Sequence, residues 1–180
     1  MDLLSMVHNA YFCLRDKTQE EYENQVARLL DDGLYGIQRW CDTMAYQRGT
    51  SDDGRAFRFL QNALVYFIYI DGTLCQGEYD VYCKWCRKAG KTPLSTTQTK
   101  SLRMSMTGEK GVDTLVYLYN LRDHMDSAMY HNMVYGIVMM LLLNSRRISQ
   151  IAYQAICVLF DKDRDNYPKT YSDFLDELAY

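Results

Sequence analysis

TQEEYENQVARLLDDGLYGIQRWCDTM, residues 18–44, decides the fold class. Thr18 and Glu21 form a capping box, in which the hydroxyl and the carboxylate each satisfy an otherwise free backbone N–H. Behind it Val26, Leu29, Leu30, Gly33, Leu34, Ile37, Trp40, Cys41 and Met44 recur at three- and four-residue spacing. That is one apolar stripe on a long amphipathic helix, predicted over 19–47. Gly33 and Gly36 lower its intrinsic propensity and leave room for a bend or for close packing.

Working outward, Leu3, Val7, Ala10 and Leu14 fall at helical spacing upstream. The N-terminal MDLLSMVHNAYFCLRD has neither a basic leader nor a small-residue cleavage site, so it reads as helix and not as a signal peptide. Downstream, RGTSDDGR (48–55) is a polar loop. Residues 56–70 are apolar almost all round, which predicts a helix buried on most sides, although Leu64–Ile70 alone would also pass as a buried strand. Asp71-Gly72 breaks it, and a second helix is predicted over 76–89. The Ser-, Thr- and Lys-rich stretch 90–111 reads as a mobile polar loop or a weak helix after Ser95. Further helices are predicted over 112–125, 127–143, 149–160 and 171–179. No stretch sustains strand alternation. The expectation is an all-α fold, a single-domain bundle of about seven to eight helices spanning 1–180.

Composition narrows the function classes. The 180 residues are 48% hydrophobic and 24% charged, a globular composition that excludes a disordered chain. Twenty basic against 23 acidic residues give a net charge of −3, so no general attraction to nucleic acid or anionic membrane is expected. The longest apolar run, Met133–Leu143, falls short of the ~20 residues a spanning helix needs. Six cysteines without a secretory leader point to a soluble, cytoplasmic protein with reduced thiols. Nine of the 16 tyrosines crowd two regions, around Asp71 and over 117–153, where a ring can be buried and its hydroxyl left at a polar edge. Such rings also suit protein contact surfaces, so the expected partner is another protein or a second copy of the chain.

The helix–IDGTLCQGE–helix pattern around Asp71 is echoed by helix–LNSRRISQIA–helix around Asn144, with Leu74, Cys75, Val81 and Tyr82 preceding Ile148, Ser149, Ala155 and Ile156 at constant offset. Two pseudo-symmetric helical hairpins are one reading, and a chance match between amphipathic hairpins is the other. Within the first, Gly72 suits the left-handed backbone of a helix end, Cys75 stands at the N-cap, and Glu78 three residues on sits where a capping box has its acid. In the second, Ser149 keeps the cap and Ala152 replaces the acid.

The residues Tyr69-Ile70-Asp71-Gly72-Thr73-Leu74-Cys75-Gln76-Gly77-Glu78 resemble the A-D-G-x-(Ile/Val)-(Ser)-x-x-E signature of the tellurite-resistance TerB-like family. That resemblance implies an all-helical bundle with the motif between two helices in two copies. It also implies a divalent-cation site, calcium for example, with Asp71 and Glu78 as metal ligands, and a role in stress-response assemblies. Two carboxylates fall short of the six or more oxygens a hard cation takes, and the second copy supplies Asn144 and no acid. The competing reading makes Asp71 and Glu78 helix-end residues placed by capping and the helix dipole.

Other constellations have plainer readings. Asp161-Lys-Asp163-Arg-Asp165-Asn166 imitates the start of a calcium loop, but position 12 is Ser172 and Pro168 interrupts it. A capped final helix starting at Thr170-x-x-Asp173 explains the same stretch. Cys83-Lys-Trp-Cys86 lacks the second pair of a zinc site and the preceding strand of a redox motif, so buried thiols on one helix face are expected. His124 and His131 are seven apart, too far for one metal on a single helix face. The stretch 87–110 carries six basic residues against Glu109, a solvated loop or a contact for an anionic partner. The leading expectation is a non-enzymatic helical protein-interaction domain with a divalent cation at Asp71 and Glu78. The alternatives are an enzyme whose carboxylates or thiols converge only in the fold, and a metal-free structural adaptor.

Overall fold

Thr18 opens the longest helix as its sequence requires. Its hydroxyl accepts the Glu21 N–H at 3.2 Å and the Glu21 carboxylate accepts the Thr18 N–H at 3.1 Å. A computed structural model of the chain describes residues 3–47, 49, 54–106, 109–144 and 146–159. Among these residues there are eight helices and no strand: α1 (Leu3–Asp16), α2 (Gln19–Gln47), α3 (Arg55–Ile68), α4 (Gln76–Lys88), α5 (Thr96–Met104), α6 (Glu109–Leu121), α7 (Ser127–Leu141) and α8 (Gln150–Leu159). The predicted final helix over 171–179 and the calcium-like segment 161–172 lie outside the described residues.

Helix α2 is the spine, with its most extensive packing against α7 and further contacts to α4 and α3. The two glycines in its stripe serve close approach. A Cβ at Gly33 would stand 2.6 Å from the Met133 Cβ, and one at Gly36 would stand 2.7 Å from the Met125 Cε. Helix α7 fills the centre, with Met133, Val134, Ile137, Val138, Met139 and Met140 all buried. Its near-uniform apolarity is that of a helix covered on most sides, here by α1, α2, α3, α4 and α8. Helix α3 is the second such element, and its flanks confirm helix over strand for Leu64–Ile68.

Tyrosine hydroxyls tie the helices together through main-chain groups. Tyr22 donates to the Met139 carbonyl at 2.5 Å and Tyr130 to the Leu159 carbonyl at 2.9 Å. Tyr82 donates to Gln61 Oε1 at 2.8 Å and accepts the Leu94 N–H at 3.0 Å, while Tyr79 donates to the Leu94 carbonyl at 2.8 Å. Tyr69 shares a 3.0 Å bond with the Thr99 hydroxyl.

Those last contacts give the 90–111 stretch more order than its composition suggests. Residues 96–104 form helix α5, opened by a complete Ser95–Gln98 capping box and packed on α3. This is the weak helix that the sequence offers after Ser95, made firm by partners from outside the stretch, α3 and Tyr69 on α5 and Tyr79 and Tyr82 on the preceding Leu94. No helix of the described residues is long and apolar enough to cross a membrane.

Candidate functional site: the Asp71–Glu78 junction

Helix α3 ends where Tyr69 leaves helical geometry, two residues before the predicted end. Gly72 takes φ +90°, a backbone that only glycine adopts without strain, and its N–H bonds to the Tyr69 carbonyl at 2.8 Å. The chain then extends through Cys75, the N-cap of α4, whose thiol makes no capping bond. Sulfur is a poor acceptor, so the box is incomplete at this helix start. In the hairpin around Asn144 the Ser149 hydroxyl accepts the Ala152 N–H at 3.2 Å, as its sequence predicts.

Glu78 is the unexpected member. A first-turn glutamate is ordinarily solvated and favoured by the helix dipole, yet this side chain is only 2% exposed. Burial first, and the neighbouring Asp71 second, push its carboxyl up to about 9. Desolvation therefore outweighs the dipole, and Glu78 carries its proton at neutral pH. The Cys75 thiol lies against the Glu78 carboxyl and is itself pushed up, again chiefly by burial.

The loop after α7 closes the site. The Asn144 amide donates to Asp71 Oδ2 at 3.2 Å, and Cys75 Sγ lies 4.0 Å from the Leu143 carbonyl. The site thus combines one exposed carboxylate, one buried carboxyl, a thiol and a carboxamide. Two carboxyl groups and the neighbouring amide and carbonyl oxygens are what it offers a cation. No cluster of three or more His, Cys, Asp or Glu side chains suited to a metal occurs among the described residues. A cleft of about 280 Å³ adjoins Gly77, with Leu14, Tyr22, Leu142 and Leu143 in its walls and Lys17 and Arg146 at its polar side. Arg146 has φ +56°, and its carbonyl accepts the Tyr11 hydroxyl at 2.7 Å.

No family model, curated protein or solved structure matches the chain. The chemistry of the junction therefore stands on its own residues.

The other sequence candidates fall as their plain readings predict. Cys83 and Cys86 are buried, unpaired thiols, and burial pushes Cys86 up to about 11, away from the reactive range. His124 stacks on Trp40 with ring centroids 5.2 Å apart. His131 is pushed down by burial. Asp126 caps α7 by accepting the Met129 N–H at 3.1 Å. Sequence reasoning missed the thiol–carboxyl contact, the Leu143 carbonyl and the basic side of the cleft. Only the odd acid beside an unsuitable cap residue, Glu78 after Cys75, hinted locally that this helix start is buried.

Proposed function

We propose that the chain is a non-enzymatic helical protein-interaction module of the TerB-like kind, working in a stress-response assembly, with a divalent cation seated at Asp71 and Glu78. The observation that carries the reading is the approach of these two carboxyl groups at a helix junction also reached by Asn144. Burial and then the neighbouring Asp71 disfavour ionisation of Glu78, and a cation seated between them lowers the cost of deprotonating it. Cation binding and proton release from Glu78 are then one event.

Exposed aromatic residues support the interaction half of the reading. Arg15 lies over the Phe12 ring at 5.0 Å and Arg39 over the Tyr35 ring at 5.9 Å, and both rings are more than half exposed. Aromatic–arginine pairs of this kind are the residues that dominate interface energies.

Calorimetry of the full chain with calcium and with magnesium tests the cation. The expected result is a heat that differs between buffers of unlike ionisation enthalpy, reporting the released proton, and that disappears in Asp71→Asn. No heat with either ion overturns the site and leaves the metal-free adaptor. For the interaction surface, the double variant Phe12→Ala/Tyr35→Ala is expected to lose proteins that the native chain retains. An unchanged set overturns that surface.

A further inference from the structure

The cleft beside Gly77 has a chemistry independent of the cation site. Leu14, Tyr22, Leu142 and Leu143 wall its volume of about 280 Å³, Lys17, Gln19 and Arg146 complete the lining, and no acidic side chain takes part. Lys17 comes from the turn between α1 and α2, and Arg146 from the turn between α7 and α8. The Lys17 ammonium donates to Gln25 Oε1, a neutral acceptor. The Arg146 guanidinium makes no hydrogen bond or ion pair among the described residues. Two positive side chains therefore line one cleft, and neither is paired with a carboxylate among the described residues.

Arg146 is also an expensive residue for its turn. The Arg147 N–H bonds to the Asn144 carbonyl at 3.2 Å, which closes a turn over 144–147 and puts Arg146 at its third position with φ +56°. A left-handed backbone there suits glycine or asparagine. Among the described residues Arg146 is the one non-glycine residue that adopts it. The bond that holds the turn, from the Tyr11 hydroxyl to the Arg146 carbonyl at 2.7 Å, uses the main chain, so glycine would keep it. The guanidinium thus has no bonding role in the fold, and it lines the cleft.

We propose that this cleft binds a small organic anion, a carboxylate or phosphate monoester whose oxyanion head meets Lys17 and Arg146 and whose apolar body lies on Leu14, Leu142 and Leu143. The planar guanidinium suits an oxyanion through two parallel N–H bonds, and the ammonium adds a point charge. The cleft is at the small end of ligand pockets, which fits a short chain or a single ring. Both cations are exposed, so binding weakens with salt. The site shares no residue with the Asp71–Glu78 pair, and either can fail without the other.

The test titrates the full chain with hexanoate and with phenyl phosphate, in chelator so that no divalent cation takes part, and follows backbone amide shifts. Inorganic phosphate and 1-hexanol are the controls. The expected result is saturable shifts centred on Gly77, Leu143 and Arg146 with one or both organic anions, about tenfold weaker in Arg146→Gln and severalfold weaker in Lys17→Gln. The tighter of the two anions identifies the head group. Equal binding of 1-hexanol makes the cleft merely apolar, equal binding of inorganic phosphate makes it a bare charge contact, and either overturns the proposal. Absent shifts, or shifts centred elsewhere, overturn it equally. Arg146→Gly separates binding from folding. Its melting temperature is expected to match or exceed that of the native chain, because glycine relieves the left-handed backbone, while anion binding falls about tenfold. A variant that melts lower makes Arg146 a structural residue and refutes the ligand role.

Discussion

The Asn144 side chain donates to the Asp71 carboxylate at 3.2 Å, across 73 positions of sequence. Asp71 follows α3 and Asn144 follows α7, so the turn of one helical hairpin is pinned to the turn of the other. The charge balance of the junction depends on this pair, because Asn144 brings a neutral donor where a third acid would repel Asp71.

Asn144→Asp is therefore expected to destabilise the metal-free protein by about 0.5–1 kcal/mol at neutral pH, the scale of an exposed like-charge pair in place of a hydrogen bond. Thermal melts in chelator and in millimolar calcium check this. The melting temperature drops in chelator, and calcium recovers it if the junction seats a cation. A variant as stable as the native chain in chelator refutes the electrostatic account.

Glu78 makes stability depend on pH. Its ordinary value is 4.5 and the fold pushes it up to about 9. Above pH 4.5 the unfolded chain releases a proton that the native state retains. The stabilisation is complete below that pH and declines as pH rises through about 9, with a slope of up to ~1.4 kcal/mol per pH unit. Glu78→Gln removes this slope, leaving the variant the more stable protein at pH 8. Urea unfolding at pH 5 and pH 8 in chelator measures the difference, and parallel pH profiles for the two proteins contradict it.

Gly33→Ala sets two effects against each other. Alanine raises helix propensity by about 1 kcal/mol, but the new methyl meets the Met133 Cβ at 2.6 Å. That contact is with the base of the side chain, which cannot swing away, and overpacking of this kind costs about 1–3 kcal/mol. A net loss of stability is expected by chemical denaturation. A stabilised variant would show that α2 and α7 separate easily.

Tyr82→Phe keeps the buried ring and removes one hydroxyl that serves both Gln61 and the Leu94 N–H. The cost is about 1–2 kcal/mol, as the Leu94 amide loses its partner. Amide exchange should quicken around Leu94 and into α5 before it changes in α2 or α7. A uniform change across the chain would mean that the hydroxyl does not specifically anchor α5.

What was legible locally was what local rules control. The Thr18–Glu21 box set the start of α2, the 3.6-residue stripe set its course to Gln47, and Asp71-Gly72 marked the end of α3. Helix α5 was legible only as a weak helix after Ser95, because its anchors are Tyr69 on Thr99 and Tyr79 and Tyr82 on the preceding Leu94, which belong to other segments. The Asp71–Glu78 pair was legible as a spacing. Its electrostatics were not, because burial of Glu78 depends on how α4 meets the loop around Leu143.

The sequence by itself determined an all-helical chain, most of its helix starts and the buried character of α3, α7 and the Cys83–Cys86 pair. Capping, periodicity and hydropathy act within a few residues, and their outcome can be read along the chain. Only the tertiary structure decided that Asp71 meets Asn144, that Glu78 is buried beside Asp71 with its carboxyl pushed up, and that an apolar groove opens between α3, α5 and α6. These properties follow from desolvation and long-range packing, which depend on neighbours that folding alone brings together.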